Sequence, residues 1–90
     1  MILFSDTDDN GNLWLENVRS GDKRQIEAKP ASFINVIGND IYFVSSDSDL
    51  FFIIKTNLRS NSEILVSSET EISNLFVSEN VYLTTEPLQR

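Results

Sequence analysis

The sequence predicts an all-β fold of antiparallel meanders. Its apolar residues come in short runs rich in Ile, Val, Phe and Tyr. Clusters of Gly, Asn, Asp and Ser separate these runs at intervals of about ten residues, the spacing of short strands joined by turns. Alanine is scarce, and no segment keeps a helical apolar period over several turns. We therefore expect strands from one end of the chain to the other.

The chain also repeats itself with a period of about forty residues, which is typical of propeller blades and other repeat arrays. The recurring segments are 17–20 with 57–60, 32–39 with 73–80, and 2–5 with both 41–44 and 81–84. We therefore expect a single domain over residues 1–90. It consists of two repeats, at approximately 1–39 and 40–80, and the start of a third at 81–90.

The first repeat contains four predicted strands, at 2–5, 12–18, 24–28 and 32–37. Asn10 and Gly11 lie between the first two strands and tolerate the positive φ that a tight hairpin needs. Pro30 has no backbone N–H to donate. We therefore expect it in the connection after the third strand and not inside a strand.

The second repeat has the same layout, with predicted strands at 40–45, 50–56, 63–67 and 72–78, and a further strand follows at 81–85. Residues 50–54 are apolar on both faces, and such a strand must be covered on both. Stacked blades provide this cover, whereas a two-sheet sandwich leaves each sheet one wet face. The sequence therefore favours two propeller-like four-stranded blades plus one extra strand. The alternative is a single β-sandwich of about nine strands.

Composition excludes several classes of function. The 90 residues include no Cys and no His, which excludes disulfides, thiolate nucleophiles and imidazole metal sites. The formal net charge of −7 argues against nucleic acid and anionic membranes as partners. No apolar run is long enough to span a membrane, and no signal-peptide pattern opens the chain. We expect a soluble chain without membrane insertion.

One loop has the beginning of a calcium-binding pattern. In residues 6–12, acidic or amide side chains stand at every second position, and a glycine precedes the last of them. Their oxygen atoms are ligands that suit calcium. The predicted ligands are the side chains of Asp6, Asp8 and Asn10 and the backbone carbonyl of Asn12. The closing acid expected at position 17 is missing, and Glu16 stands one residue before it. The alternative is a polar hairpin loop shaped by its Asn-Gly turn.

The remaining polar and aromatic residues predict no catalytic site. Nothing in the sequence brings two carboxylates together for acid–base chemistry, so we expect a solvated acidic surface and no enzyme activity. Tyr42 and Tyr82 occupy matching repeat positions and are expected to share a structural role. We expect the strand aromatics to belong to the core, namely Trp14, Phe33, Tyr42, Phe51, Phe52, Phe76 and Tyr82.

The opening strand of each repeat carries a family resemblance. An aliphatic residue is followed by further aliphatic or aromatic residues and then, in most copies, by Ser or Thr at 2–6, 41–45 and 81–85. A Leu-Trp-Leu-Glu-Asn-Val strand follows at 13–18. In these motifs the chain resembles a bacterial β-propeller repeat family of unknown function. That family is related to the YWTD-type propellers of low-density-lipoprotein-receptor-like proteins.

The resemblance implies a binding platform and not an enzyme, and it favours an extracellular or cell-surface location. It transfers no site residue, because the Leu-Asp-Gly-Ser turn of the family is replaced at 17–21 and 57–61. We therefore expect a non-enzymatic interaction module, with a protein or a carbohydrate as its ligand. The alternative is a structural fragment of a longer surface or secreted propeller protein that has no activity of its own.

Two repeats are too few for a propeller, because about three or more repeat units are needed to bury their apolar faces. We therefore expect the chain to associate with itself through strand or blade edges, or to join further propeller blades. Three or four copies would supply a ring within the usual range of about four to eight blades. The strand at 81–85 duplicates 2–5, so one of them is expected to complete a neighbour's sheet. A compact monomeric sandwich is the alternative.

Overall fold

A computed structural model describes residues 1–78 and the backbone of 81–85. The protein is all-β: the described part contains no α-helix, and a short 3-10 turn at Thr7–Asp9 accompanies antiparallel strands. The strands are β1 (Ile2–Asp6), β2 (Asn12–Glu16), β3 (Lys23–Pro30), β4 (Ser32–Ile37), β5 (Asp40–Asp47), β6 (Leu50–Asn57), β7 (Glu63–Ser68), β8 (Asn74–Ser78) and β9 (Val81–Thr85).

All the predicted strands are present, with shifts of up to two residues at some ends. Pro30 was expected in a connection, but it is the last residue of β3 and lies opposite Asn12. The sheet accepts a proline there because β3 is an edge strand and its outer side needs no N–H donor. Ile72 was expected to open the eighth strand. It lies before β8 instead and is buried in the core.

The strands form three antiparallel sheets, with the orders β1-β2-β3, β4-β5-β6-β7 and β8-β9. We call them the first, second and third sheets. In the sequence, β4 ends the repeat 1–39, but in the fold it opens the second sheet, because Ile37 and Asp40 close a tight hairpin between β4 and β5. The sheets are therefore displaced by one strand relative to the sequence repeats.

Matching strand pairs of the first two sheets have the same register. Phe4 lies opposite Trp14, and Phe43, at the matching repeat position, lies opposite Ile54. β2 has a register shift immediately before Trp14, and β6 has one immediately before Ile54. The two matching strand positions therefore carry the same irregularity as well as the same pairing.

Two hydrophobic clusters lie on opposite faces of the second sheet. Phe52 and Ile54 belong to the cluster shared with the first sheet, and Phe51 and Ile53 belong to the cluster shared with the third sheet. The first cluster contains Leu13, Ile26, Ala31, Ile41, Phe43 and Ile54, and the second contains Val44, Ile53, Ile72 and Leu75. The expectation that 50–54 is covered on both faces is confirmed.

The aromatic residues divide between core and surface. Tyr42, Phe51 and Phe52 pack against the two clusters, as expected. Phe33 and Phe76 were also expected in the core, but they are 43% and 62% exposed. Phe33 has a positive φ of 53° where the β4–β5 register shifts, and Phe76 lies on the side of β8 that faces away from the second sheet.

The two tyrosines that match in sequence differ in register. Tyr42 lies opposite Asn35, whereas Tyr82 lies opposite Val77, one position further along the matching strand. The side chain of Tyr82 lies outside the described residues. A shared structural role for the two tyrosines therefore stays a prediction.

Candidate functional site

The predicted calcium loop forms the connection between β1 and β2. Asp6 Oδ1 accepts a hydrogen bond from the backbone N–H of Asp8 at 2.9 Å and so caps the 3-10 turn. Asn10 has the left-handed backbone conformation, with φ 59°, and Asn12 Nδ2 donates to Asp9 Oδ2 at 3.3 Å. Over residues 1–78, no group of three acidic side chains is gathered as a metal ion would need. The calcium ligands stay a prediction.

Asp9, which sequence reasoning missed, is the residue that organises this loop. Its Oδ2 atom accepts hydrogen bonds from Trp14 Nε1 at 2.8 Å and Gln25 Nε2 at 2.8 Å, in addition to the one from Asn12. The bond from Trp14, then those from Gln25 and Asn12, lower the pKa of this carboxyl below its usual value, since they stabilise its ionised form. These contacts fix the indole ring of Trp14 on one face of the first sheet.

The first sheet has one covered face and one open face. Leu3, Leu13 and Leu15 point towards the second sheet and belong to, or pack against, the first cluster. Side chains alternate along a strand, so Ile2, Phe4 and Trp14 lie on the opposite side. We call these three residues the open face. Ile2 is 49% exposed, and Phe4 and Trp14 are half-buried.

The only ring contact described at the open face is a weak one. The ammonium of Lys23 lies 5.9 Å from the ring centroid of Phe4, at the outer limit of a cation–π contact. A flexible, exposed lysine covers part of one ring and leaves the other apolar surface in water. The face is therefore apolar at its centre and polar at its rim.

The second sheet shows what such a face looks like when it is covered. Ile41, Phe43 and Ile54 occupy the strand positions that match Ile2, Phe4 and Trp14. They are only 2%, 0% and 0% exposed, because the first sheet packs against them. The open face has the same apolar character without the cover, which makes it a candidate interaction surface.

The first sheet is also open along its edge. Among the described strands, β1 pairs with β2 alone, whereas the matching strand β5 is held between β4 and β6. The outer side of β1 therefore presents unpaired backbone N–H and C=O groups. Such an edge is a template for an added strand.

At the other end of the stack, β8 is positioned by β4. Asn35 Nδ2 donates to the carbonyl of Leu75 at 2.9 Å, and Asn35 Oδ1 accepts from the N–H of Val77 at 3.3 Å. The third sheet has two described strands, so it spans less of the second sheet than a four-stranded sheet would. Phe51 and Val66 on this side of the second sheet stay half-buried.

A turn of the second sheet docks on the first. Residues 57–62, which we call the second asparagine turn, are shaped by Asn57 Oδ1, which accepts from the N–H of Arg59 at 2.9 Å. Ser60 Oγ donates to the carbonyl of Ile26 on β3 at 2.6 Å. Two further bonds join this turn region to β3: Arg24 Nη1 donates to the carbonyl of Leu58 at 2.7 Å, and Ser62 Oγ donates to Glu27 Oε2.

Residues 17–22, the first asparagine turn, begin with the same hydrogen bond but close one residue later, because Gly21 N–H donates to the carbonyl of Asn17 whereas Ser60 N–H donates to the carbonyl of Asn57. Asn17 Oδ1 accepts from the N–H of Arg19 at 3.0 Å, as Asn57 does in the second turn. In the described part of the chain, the hydrogen bonds of this turn are all local, and its Val18 side chain is exposed. Among the described residues, the first turn therefore makes no hydrogen bond to a strand of another sheet, unlike the second turn.

The two clefts with the largest volumes among those described are also possible sites. One, of about 400 Å³, lies at the second asparagine turn and has no carboxylate in its lining. The other, of about 460 Å³, lies between the first and second sheets, and Asp47 is the acidic residue among its lining residues. Neither cleft pairs two carboxylates, so neither offers the acid and base that glycoside hydrolysis uses.

Comparison with known proteins gives no further guidance: no family model, no curated protein and no solved structure matches the chain. No helix in the described residues has the length and apolar character needed to cross a membrane. The open face, the edge of β1 and the first asparagine turn are therefore the surfaces that the described residues offer to a partner.

Proposed function

We propose that this chain is a non-enzymatic interaction module built of propeller-like blades. It works by placing its open face and the edge of β1 against another blade, which a second copy supplies. One observation carries the proposal. Ile2, Phe4 and Trp14 match a set of residues that is almost completely buried in the second sheet, yet Ile2 is 49% exposed.

Burial supplies the driving force. Complete burial of a fully exposed large apolar side chain contributes about 1.5–3 kcal/mol. These three side chains are already partly buried, so each gains only part of that amount. Association costs several kcal/mol in translational and rotational freedom, so the face alone gives a modest affinity. Strand pairing along β1 adds directional hydrogen bonds and defines which partner fits. The expected partner is therefore a sheet with a free edge and an apolar face.

The charge of the chain restricts the class of partner. With 14 acidic and 7 basic residues, the chain has too little positive charge to neutralise a nucleic-acid backbone or to hold an anionic membrane. A protein surface suits the open face best. A carbohydrate stacked on Trp14 is a weaker candidate, because hydrogen bonds to Asp9 already hold the indole nitrogen.

The alternative proposal is a structural fragment of a longer surface or secreted propeller protein. In that case neighbouring blades of the same protein cover the open face permanently, and the chain alone has no activity. The two proposals differ in solution. A module that assembles from its own copies is an oligomer with a defined mass, whereas a fragment alone aggregates or stays partly unfolded.

The test is the mass of the particle, measured by light scattering behind a sizing column over a range of concentrations. We expect the chain to form an oligomer of defined mass. Ile2→Lys places a charge on the open face and should give a folded monomer. Leu50→Lys is the matched control, because it introduces the same charge at an exposed apolar residue on another strand. A folded wild-type monomer at every concentration contradicts the proposal.

A further inference from the structure

We infer that β8 of one chain pairs with β1 of a second copy and takes the place that β4 has beside β5. The inference rests on the proposed function and deepens it, because it names the partner as another copy of this chain and the contact as an exchange of strands. It follows from three features: the strand order of the sheets, the register of their strands, and the surfaces of the first and second sheets that the isolated chain leaves uncovered.

The second sheet shows the complete pattern, with the order β4-β5-β6-β7. Among the described strands, the first sheet, β1-β2-β3, has counterparts of the last three strands of that pattern and none of the first. The segment 73–80, which contains β8, repeats the segment 32–39, which contains β4. One chain's β8 and another chain's first sheet therefore form one complete four-stranded sheet.

Within a single chain, β8 is paired with β9. Both β9 and β1 repeat the sequence of β5, so they compete for the same edge of β8. Replacing β9 by β1 of a second copy exchanges one set of backbone hydrogen bonds for a similar set. The net gain comes from burial of apolar surface that the isolated chain leaves in water. This is the low-cost exchange that links protomers in domain swapping.

The register of the new pair follows from the second sheet. Val36 lies opposite Ile41 there, and the matching residues are Val77 on β8 and Ile2 on β1. Val77 packs against the second cluster, and Ile2 lies on the open face. Both side chains then face the second sheet, as Val77 does in the single chain. A slip of one residue would turn the open face to solvent, so burial selects this register.

The exchange covers the surfaces that the isolated chain leaves unpaired. A four-stranded sheet on this side covers the half-buried Phe51 and Val66, which a two-stranded sheet leaves partly in water. The open face of the second copy supplies the apolar side chains that contact them. One interface therefore buries both the open face and the far side of the second sheet.

The first asparagine turn of the second copy also gains a partner. It comes to β7 as the second asparagine turn comes to β3, and Ser20 matches Ser60 in sequence, although the left-handed conformation lies at Gly21 and not at Ser20. The match is incomplete, because Glu63 stands on β7 at the register position that Arg24 has on β3. The arginine bond to the turn carbonyl is therefore not repeated.

The contact is head-to-tail, since each chain gives β8 to the next and receives β8 from the previous one. Head-to-tail contacts close into a ring when the rotation between copies allows it. In such a ring, the strands β1 to β8 of each chain amount to two four-stranded sheets, because β8 completes the first sheet of the next chain. No chain in such a ring keeps a free β1 edge.

The absence of native cysteine allows a direct test with two double variants that share one position. Ile2→Cys with Val77→Cys joins the strands of the proposed exchange. Oxidation should give covalent dimers and larger species on a non-reducing gel. Val77→Cys with Tyr82→Cys joins β8 to β9 within one chain, because these residues lie opposite each other. Oxidation of this variant should weaken self-association by at least about tenfold, and reduction should restore it.

The single variant Val77→Cys is the control, and circular dichroism of each reduced protein shows that it folds. If the wild type is an oligomer but the first pair does not cross-link between chains, or the locked β8–β9 variant still assembles, the strand exchange is wrong and the proposed function stands. If the wild type is a monomer at every concentration, the proposed function is wrong and the exchange falls with it.

Discussion

At the scale of single residues, Asp9 has the largest local influence. One carboxylate oxygen accepts hydrogen bonds from three side chains, and two of these come from β2 and one from β3. Trp14 is held in place by one of them, so the shape of the open face depends on a residue that is not part of it. A charged acceptor makes such bonds stronger than a neutral one does.

We therefore expect Asp9→Asn to lower the stability of the protein near neutral pH. The pKa of Asp9 is depressed, so its stabilising effect is complete above the usual aspartate value of about 3.9 and is lost as the pH falls through the folded-state pKa. The wild type should lose this part of its stability on acidification, and the variant should not. Urea unfolding followed by Trp14 fluorescence, at neutral pH and at low pH, measures both.

The neighbouring Asp8→Asn is the control for this prediction, because the Asp8 side chain is exposed. It should leave the midpoint near that of the wild type. Equal losses in the two variants at neutral pH would show that net charge, and not the hydrogen bonds of Asp9, sets the effect.

At the scale of elements, the strands were predictable from the sequence, but their partners were not. Alternation and turn residues located every strand, and the double apolar run at 50–54 correctly required cover on both faces. The repeat does not determine where a sheet begins, because a shift by one strand leaves the same pattern. The tight hairpin between Ile37 and Asp40 decides that β4 joins β5. From the local sequence alone, the pairing of β4 with β5 could not be distinguished from a pairing of β4 with β3.

The turn between β1 and β2 gives a prediction at this scale. Gly11 has φ +79°, and a Cβ there would lie 3.2 Å from Ser5 Oγ, which itself donates to the carbonyl of Gly11 at 2.8 Å. Gly21 has nearly the same φ, but nothing lies within 4 Å of its Cβ position. Gly21→Ala should cost about 1 kcal/mol from backbone strain alone, and Gly11→Ala should cost more.

Chemical denaturation of the two glycine variants measures the difference. The pair is matched in substitution and in backbone angle, so the contact with Ser5 is the variable. Equal losses of stability would mean that the loop relaxes around the added methyl group.

At the scale of the whole molecule, the stack of sheets is asymmetric. The second sheet is covered on both faces, whereas the first sheet is covered on one. The sequence predicted that two repeats leave an apolar surface uncovered, but it did not predict which surface. Ile2 and Ile41 are the same residue in the same motif, and only the presence of a neighbouring sheet makes one exposed and the other buried. The location of the open face is therefore a property of the fold.

This asymmetry predicts a thermal stability that depends on protein concentration. If copies cover each other's open faces, assembly stabilises the folded state by mass action, and the melting temperature rises with concentration. In Ile2→Lys it should not change. Differential scanning calorimetry over a wide range of concentrations is the measurement. A wild-type melting temperature that does not depend on concentration would contradict self-assembly.

If the proposed exchange occurs, the pairing of β8 with β9 opposes it within the isolated chain. β9 follows β8 after two residues, so it competes for that edge at an effective concentration of the order of millimolar, as short tethers do. A second copy displaces it only when the surface buried in addition outweighs this advantage. If copies exchange β8 as proposed, chains at low concentration keep the β8 edge paired with β9, and assembly begins only above a threshold concentration. The duplicated strand would then keep this edge paired until enough copies are present.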